Sequence, residues 1–385
     1  MDHTPPVRGR RALPVRLTAG VALLLLSLTA CGSSDDDASA PRKSSPAATG
    51  TSAVDAGTST DIDLSGVELK VATYPVAVGS DETLLKAAGL DDTPYKLSFQ
   101  SYPDGGTQTS AVIAGTADLS RGSGVANALL AGGDTKPNFM SIATLKISTA
   151  RQWTVADKSI TSFDQLRGKK VAYTPNSTSQ YFLLKQLDSV GMTFADIQPV
   201  PVSPANGLTA LLGGSVVAFA GFGSTVDIAV SKGFPVLGDA GTILKGTLGA
   251  LVASYNAYKP DLEDEAKSAA IADYIARIDT ANAWCRAHAD EWNKIVAAAT
   301  NQPVETVAAT FKLSENTVNS SVGPVEPAAI ADQQAIADTF LAAGVLKNKV
   351  DVASTYTDQL NAAIAADIEK YKTQHPDYFA VTKIS

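Results

Sequence analysis

From Val67 onward, strand-like and helix-like segments follow each other in turn, and this alternation constrains the fold more than any other feature. Residues 67–73 alternate between apolar and polar types as a strand does, and residues 107–114 form a short helical pattern that stops at Gly115. The same rhythm restarts at residues 162–172. Repeated strand–helix–strand units predict a parallel sheet with helices on its faces. We therefore expect an α/β protein built from two such units.

The C-terminal part of the chain has a different pattern. Beyond Tyr255 the sequence becomes rich in alanine and keeps a helical periodicity to about Lys372. Two α/β units followed by helices predict a bilobed body, with two mixed-sheet lobes, a ligand cleft between them and a helical C-terminal region. The expected boundaries are residues 66–147 and 248–385 for lobe I, 148–247 for lobe II, and 148–154 and 247–253 for the hinge.

The N-terminal residues carry a targeting signal. Four arginines between positions 8 and 16 precede the short apolar run 21–30. A basic stretch, a short apolar stretch and small residues before a cut site are typical of a secretory signal peptide, here residues 1–30. The apolar run is too short to span a bilayer as a resident helix. Arg10 and Arg11 leave the choice between the general and the twin-arginine export route open.

The next residues predict a lipid anchor and a tether. Leu28-Thr29-Ala30-Cys31 resembles the bacterial lipobox, whose cysteine is lipidated and becomes the mature N-terminus. The alternative is that Cys31 follows the signal peptide by chance and is not lipidated. Residues 31–65 contain almost no large apolar side chain, so they cannot offset the entropy of ordering and are expected to be disordered. The sequence thus predicts a palmitate-bearing lipoprotein on the extracytoplasmic face of the cell membrane, attached through lipid only.

The charge of the chain excludes one class of partner. The full sequence carries a formal charge of −8, and removal of residues 1–30 takes away a net charge of +3 and leaves −11. Proteins that bind nucleic acid rely on basic patches, so nucleic acid is not an expected partner. An anionic ligand would need a local positive site, because the overall field does not attract it.

Cysteine and histidine are scarce. Cys285 is the one cysteine besides Cys31, so no internal disulfide is expected. It lies on a helical apolar stripe with Ile271, Ile275 and Ile278, which favours a place in the core over a reactive thiol. The three histidines form no metal-ligand spacing with cysteines or carboxylates, so we expect no metal and no cofactor.

Several segments of the body occur in a distinctive order and spacing, namely residues 92–97, 102–105, 114–119, 163–172, 203–208 and 333–340. As a set they resemble the aliphatic-sulfonate-, taurine- and nitrate-type substrate-binding proteins of ABC importers. The resemblance runs over residues 67–361. It implies a periplasmic-binding-protein type II fold, a small anionic solute as ligand, and ABC permease and ATPase subunits as partners. We expect the protein itself to be a monomer.

Arg121 is the one charged donor in the turn after the predicted strand 117–120. Ligands of open α/β sheets bind outside the carboxyl ends of the strands, where this turn would lie. Arg121 and Gly122 are therefore candidate ligand-binding residues, with a surface arginine as the alternative. Tyr74 and Phe222 could wall the cleft, although an aromatic residue beside a strand is more often part of the core.

Two predicted helix N-termini could hold an anion, because their first N–H groups lack intrahelical partners and the helix dipole favours negative charge. One contains Ser177, Thr178 and Ser179, and here Ser177 with Gln180 fits a capping box. The other contains Gly106, where glycine permits close backbone approach. The alternative for the first N-terminus is capping without a ligand, and the alternative for the second is an ordinary loop. We expect the helix N-terminus that contains Ser177 and the guanidinium group of Arg121 to bind the same anionic headgroup.

Three classes of function remain open. The first is a solute-binding lipoprotein that delivers a small anion to an ABC importer, with an aliphatic sulfonate as the favoured ligand and taurine, nitrate, a carboxylate or a thiamine-precursor-like base as alternatives. The second is an enzyme on the same fold, because a desulfinase and pyrimidine-forming enzymes resemble this family. The sequence offers that class no cleft nucleophile or base, so we expect no enzyme. The third is a non-transporting surface receptor.

Overall fold

A computed structural model of the protein describes residues 62–75, 80–122, 125, 127, 129, 132, 138–150, 152–243 and 251–385. The predicted signal peptide, the lipidation site Cys31 and all but the end of the predicted tether lie outside the described residues. Within the described part of the chain, no helix is long and apolar enough to cross a membrane.

The described residues form the following elements. The strands are β1 (Glu68–Thr73), β2 (Lys96–Ser101), β3 (Leu119–Gly122), β4 (Phe139–Ile147), β5 (Gln152–Ala156), β6 (Lys170–Tyr173), β7 (Gln198–Pro201), β8 (Ala218–Phe222), β9 (Val236–Asp239), β10 (Leu251–Tyr258) and β11 (Ser321–Gly323). The helices are α1 (Asp81–Ala87), α2 (Gly105–Ile113), α3 (Thr178–Asp188), α4 (Pro204–Leu212), α5 (Ser224–Ser231), α6 (Ala240–Ile243), α7 (Glu265–Ala287), α8 (Ala289–Thr300), α9 (Val304–Thr317), α10 (Pro327–Ala342), α11 (Asn361–Gln374) and α12 (Pro376–Ala380).

The strands form two mixed sheets. One has six strands in the order β11-β4-β10-β3-β1-β2, and the other has five in the order β7-β6-β8-β5-β9. In the first sheet β1 is parallel to β2 and β3, whereas β10 is antiparallel to β3 and β4. In the second, β6 is parallel to β7 and β8, whereas β5 is antiparallel to β8 and β9. The predicted α/β class with two mixed sheets and a helical C-terminal region is confirmed.

Each sheet contains a point where the chain reverses its direction of travel across the strands. In the first sheet the path is β1–α1–β2–α2–β3, and β2 and β3 lie on opposite sides of β1. In the second the path is β6–α3–β7–α4–β8, with β7 and β8 on opposite sides of β6. Such reversals open a crevice at the carboxyl ends of the two strands concerned, where open α/β sheets bind ligands.

Helix α7 forms the centre of the largest core. Its Ile271 and Ile275 pack with Leu69 and Leu119 of the first sheet, and all four side chains are fully buried. Cys285 belongs to the same cluster and is 3% exposed, so its predicted place in the core is confirmed. Burial of this continuous apolar stripe accounts for the length of α7, because every turn of the helix removes apolar surface from water.

The second sheet is covered on both faces. Helix α3 packs Leu183 and Leu187 with Val171 of β6, whereas α4 and α5 contribute Leu211 and Val226 to a separate cluster. This arrangement follows from the reversal at β6, because crossover connections of one hand that leave on opposite sides lie on opposite faces. Of the segments expected as the hinge, 148–154 and 247–253, residues 152–154 belong to β5 and residues 251–253 to β10. Residues 151 and 247–250 lie outside the described residues.

Candidate functional site

Seven of the eight ligand-binding residues predicted from the sequence lie at the two crevices defined above. In the first sheet, Tyr74 directly follows β1, and Arg121 and Gly122 end β3. In the second sheet, a connection that includes Ser177 joins β6 to α3, and Phe222 ends β8. The other two of the seven are Thr178 and Ser179. Gly106 is the exception, because it lies on α2 after β2, a strand that does not border the crevice.

Arg121 supplies the charge of the first half of the site. Its guanidinium carbon lies 5.8 Å from the centroid of the Tyr74 ring, which places a cation over an aromatic face. Its Nη1 is 4.0 Å from Oδ1 of Asp81, and the Arg121 side chain is 23% exposed. The predicted cation is therefore present, partly accessible and held beside a carboxylate that the sequence analysis did not identify.

Asp81 is the main residue that the sequence analysis missed. It begins α1 and is 1% exposed, and its Oδ2 accepts hydrogen bonds from the hydroxyls of Tyr255 (2.9 Å) and Tyr274 (3.0 Å). Burial raises the pKa of the Asp81 carboxyl group, while Arg121 and the two hydroxyls act in the opposite direction. The signal that could have pointed to it is Ser80-Asp81, a helix-start pattern shortly after a strand.

Gly122 has a packing role that needs no ligand. A Cβ at this position would lie 2.2 Å from Nδ2 of Asn256 and 2.8 Å from Oδ1 of Asn127. These two amides exchange hydrogen bonds of 2.8 Å in both directions, and Ser141 Oγ also donates to Asn256 Oδ1. The glycine lets β3 approach this buried polar cluster, which holds the end of β3 against β10.

The N-terminus of α2 is already capped by a negative charge. Asp104 is the N-cap residue, and its Oδ1 accepts from the backbone N–H of Thr107 at 2.9 Å. A Cβ on Gly106 would lie 3.1 Å from the same carboxylate oxygen. A second anion would meet this carboxylate, so the structure gives no support to Gly106 as a ligand-binding residue.

The capping box predicted at α3 is wrong. Ser177 makes no side-chain cap, and its Oγ donates instead to the carbonyl of Thr174 at 2.6 Å. The Gln180 side chain accepts from the N–H of Asn176 at 2.7 Å, because Asn176 has a left-handed backbone with φ of 55° that turns its N–H toward the helix. The first-turn N–H groups of α3 therefore receive no cap from Ser177, which leaves the terminus better suited to an external anion.

Side chains from three elements meet at this second half of the site. Thr178 Oγ1 of α3 donates to Oε1 of Gln152 at 3.3 Å, and Gln152 stands opposite Phe222 in the β5–β8 ladder. Ser179 Oγ is 2.8 Å from Ser177 Oγ. Hydroxyl and amide groups of neutral residues thus surround the start of α3, beside a half-buried aromatic ring.

The two halves of the site, at Arg121 and at the start of α3, are each followed by a segment that contacts a common core. Val125, three residues beyond Gly122, and Tyr181, in the first turn of α3, belong to one buried apolar cluster together with Phe340 of α10. The rings of Tyr181 and Phe340 are 6.4 Å apart in an edge-to-face arrangement. This cluster brings the chain after Arg121 near the chain after Ser177.

Two surface pockets and the thiol of Cys285 lie apart from these crevices in the described structure. Two surface pockets of about 260 and 310 Å³ lie beside β11 and beside β1 and β2, away from the crevices. Among the described residues, no group of three or more histidines, cysteines or carboxylates could hold a metal ion. Burial raises the pKa of the Cys285 thiol well above its usual value, so this thiol is a poor nucleophile.

Comparison with known proteins shows what this chain is similar to. The NMT1/THI5 like family matches residues 74–237. A protein of Escherichia coli (strain K12) named as an aliphatic sulfonates-binding protein is 27% identical over 267 residues, which are 67% of this chain and 78% of the relative. The resemblance noted from the sequence is thereby confirmed.

Solved structures show the same fold. The alkanesulfonate-binding protein SsuA from Xanthomonas axonopodis pv. citri, bound to MOPS, has a TM-score of 0.66 at 21% identity, over 75% of this chain and 98% of that chain. The desulfurization enzyme DSZB has a TM-score of 0.55 at 15% identity, over 78% of this chain and 99% of that chain. The fold therefore occurs in a binding protein and in an enzyme, and the residues of the site must decide between them.

Proposed function

We propose that this chain, whose residues 74–237 match the NMT1/THI5 like family, captures a small anion between two lobes and delivers it to an ABC importer. The observation that carries the proposal is the pairing of Arg121 at one strand crossing with the uncapped start of α3 at the other. A guanidinium group can grip a sulfonate or carboxylate through two parallel N–H···O bonds. The free N–H groups of a helix start add donors that stay fixed.

An aliphatic sulfonate is the ligand we favour. The name of the Escherichia coli relative supports this choice, as does the fold shared with the alkanesulfonate-binding protein. The lobes proposed to close on the ligand are residues 66–147 with 248–385, and residues 148–247. An ABC permease and its ATPase would receive the solute, and a lipid on Cys31 would keep this monomeric protein at the outer face of the cell membrane.

The enzyme alternative has less support than binding. Cys285 is the one thiol of the sequence besides Cys31, and it is buried on α7 rather than at a strand crossing. The groups described at the half-sites are a guanidinium, hydroxyls, amides and the carboxylate of Asp81. That carboxylate is 1% exposed and already occupied by Tyr255 and Tyr274. This set suits binding of an anion better than proton transfer or nucleophilic attack.

A ligand screen tests the proposal. Melting temperature would be measured against alkanesulfonates, taurine, nitrate, small carboxylates and thiamine-precursor-like bases, followed by calorimetry with each ligand that raises it. A ligand present at a hundred times its Kd stabilises the folded state by about 2.7 kcal/mol, which is several degrees for a protein of this size. A rise with alkanesulfonates that disappears in Arg121→Ala supports the proposal. Turnover of a bound sulfonate would favour the enzyme instead.

A further inference from the structure

We propose that Asp81 sets the charge of the headgroup that this site accepts, admitting an anion with one negative charge and rejecting one with two. The inference rests on the proposed function and adds a residue that determines specificity. Asp81 does not have to touch the ligand, because it acts through the guanidinium of Arg121 and through the field that it adds to the crevice.

Asp81 is held in place more firmly than a surface carboxylate. Asp81 is 1% exposed, and its Oδ2 accepts hydrogen bonds from the hydroxyls of Tyr255 at 2.9 Å and Tyr274 at 3.0 Å. Its Oδ1 is 4.0 Å from Nη1 of Arg121. Its backbone N–H donates to Thr73 Oγ1 at 2.9 Å, which fixes the residue from a further direction. Burial raises the pKa of the Asp81 carboxyl group, whereas Arg121 and the Tyr255 and Tyr274 hydroxyls favour its ionised form. The ionised carboxylate partly neutralises Arg121 before any ligand arrives, and these bonds hold it in place.

A second carboxylate adds to this field. The ring of Tyr74 lies under the guanidinium, and burial raises the pKa of its hydroxyl; Arg121 lowers this pKa, while Asp104 and Asp81 raise it. The first half of the site therefore contains one cation and one buried carboxylate, while the exposed carboxylate of Asp104 lies at its edge and is screened by solvent. In the second half, Ser177, Thr178 and Gln152 are neutral, and the helix start supplies a partial positive charge of about half a unit. Arg121 and Asp81 together carry no net charge, so the helix start and the neutral donors are what favour one negative charge on the ligand, whereas a second would face Asp81 without a counterion.

Coulomb's law sets the expected size of the effect. With an effective dielectric constant of about 20, a unit charge several ångströms from Asp81 is repelled strongly enough to change an affinity by roughly tenfold to a hundredfold. A dianion experiences this repulsion twice and a monoanion once. Removing the charge of Asp81 should therefore change the ratio of the two affinities by about tenfold or more.

The test uses two ligands of matched shape, butanesulfonate with one charge and butylphosphonate, which carries two above its second ionisation. Kd values would be measured by calorimetry for the wild type, Asp81→Asn and Asp104→Asn. Asparagine at position 81 keeps an oxygen for the tyrosine hydroxyls. Asp104→Asn removes the same charge at an exposed position and keeps a good N-cap residue, so it is the matched control.

We expect the wild type to prefer the sulfonate, and Asp81→Asn to reduce this preference by about tenfold or more, while solvent screening keeps the change in Asp104→Asn much smaller. An unchanged preference in a folded Asp81→Asn protein would overturn the role of Asp81 and leave the proposed function intact. If the wild type bound neither of these ligands nor any anion of the screen, both would fall. Should Asp81→Asn not fold, the wild type alone decides. The affinity of the wild type for butylphosphonate should fall as pH rises through the second ionisation of the phosphonate, while its affinity for butanesulfonate stays unchanged. Equal affinities for the singly and the doubly charged phosphonate would refute the inference.

Discussion

The guanidinium of Arg121 lies 5.8 Å from the centre of the Tyr74 ring, so an arginine at the end of β3 is stacked on the residue that follows β1. The two strands are neighbours in the sheet, with Val71 opposite Leu119. The contact therefore spans the point where the chain reverses its path. It holds the cation at the mouth of the crevice, where a ligand could reach it.

Replacing Arg121 should weaken ligand binding far more than replacing Ser177. Loss of one partner of a buried charge pair costs roughly 2–5 kcal/mol, so Arg121→Ala should lower affinity by tens-fold to thousands-fold. Loss of one helix-terminus hydroxyl should cost only about 1 kcal/mol in Ser177→Ala. Calorimetry with the best ligand of the screen measures both values, and Arg167→Ala, at an exposed ion pair with Asp196, is the control. Equal affinities of the wild type and Arg121→Ala would remove Arg121 from the site.

The same substitution should also affect stability, because Asp81 would remain buried without its cation. A buried carboxylate that loses its partner destabilises a fold by several kcal/mol. Arg121→Lys separates the two effects, since it keeps the charge but lacks the planar fork that grips a sulfonate. We expect Arg121→Lys to unfold in urea nearer to the wild type than Arg121→Ala does, and still to bind more weakly than the wild type.

Cys285 should not react in the native protein. It is 3% exposed, and burial raises the pKa of its thiol, so little of the reactive thiolate forms at neutral pH. A thiol reagent should label Cys285 within minutes in urea and much more slowly in buffer, as read by mass spectrometry of the Cys31→Ser protein. Rapid native labelling would reopen the enzyme alternative.

The contribution of Asp279 to the stability of the protein should fall as pH rises from about 4 to about 6. Burial raises the pKa of this carboxyl group to about 6, against the opposing effects of the Val322 N–H, Arg286 and Lys372. The unfolded chain releases its proton near pH 3.9, so in this window the folded state holds more protons and loses stability with rising pH. The cost above pH 6 is about 3 kcal/mol.

The matching variant is Asp279→Asn, whose side-chain oxygen can still accept the 2.8 Å hydrogen bond from Val322 N–H. We expect it to be more stable than the wild type in urea at neutral pH and to lack this part of the pH slope. Asp188→Asn, at an exposed position, should leave the slope unchanged. The same pH slope in the wild type and in Asp279→Asn would contradict this assignment.

Gly122→Ala should destabilise the fold by about 1–3 kcal/mol, the usual cost of an added methyl group in a filled space. Its Cβ would lie 2.2 Å from the Asn256 amide, inside the polar cluster that joins β3 to β10. Urea unfolding measures the change. Gly66→Ala is the control, because no atom lies within 4 Å of a Cβ there. Equal stability of the two variants would show that the cluster can move aside.

Cys31→Ser should abolish lipid attachment, because the sulfur that accepts the diacylglyceryl group is lost. Labelling with palmitate followed by membrane fractionation would show an unprocessed or shed protein. Cys285→Ser is the control and should label and fractionate like the wild type. Normal palmitate labelling of Cys31→Ser would refute the predicted anchor.

Much of the fold could be read from local pattern. The alternation that begins at Val67 gave the α/β class, because burial on one face of a strand or helix imposes a short period on the sequence. The stripe that contains Cys285 predicted its burial for the same reason. Arg121 could be singled out because a charged residue directly after a short strand is a local feature.

Other parts of the site depend on contacts that no local pattern records. The Asp81 carboxylate meets the hydroxyl of Tyr255, 174 residues away, because the β3–β10 ladder sets Tyr255 opposite Arg121. The capping box predicted at Ser177 does not form, because Gln180 Oε1 accepts a hydrogen bond from the N–H of Asn176, whose backbone is left-handed. Local periodicity thus determined which elements form and which side chains are buried. Only the tertiary structure decided which charges face each other, because sheet register brings together residues far apart in the chain.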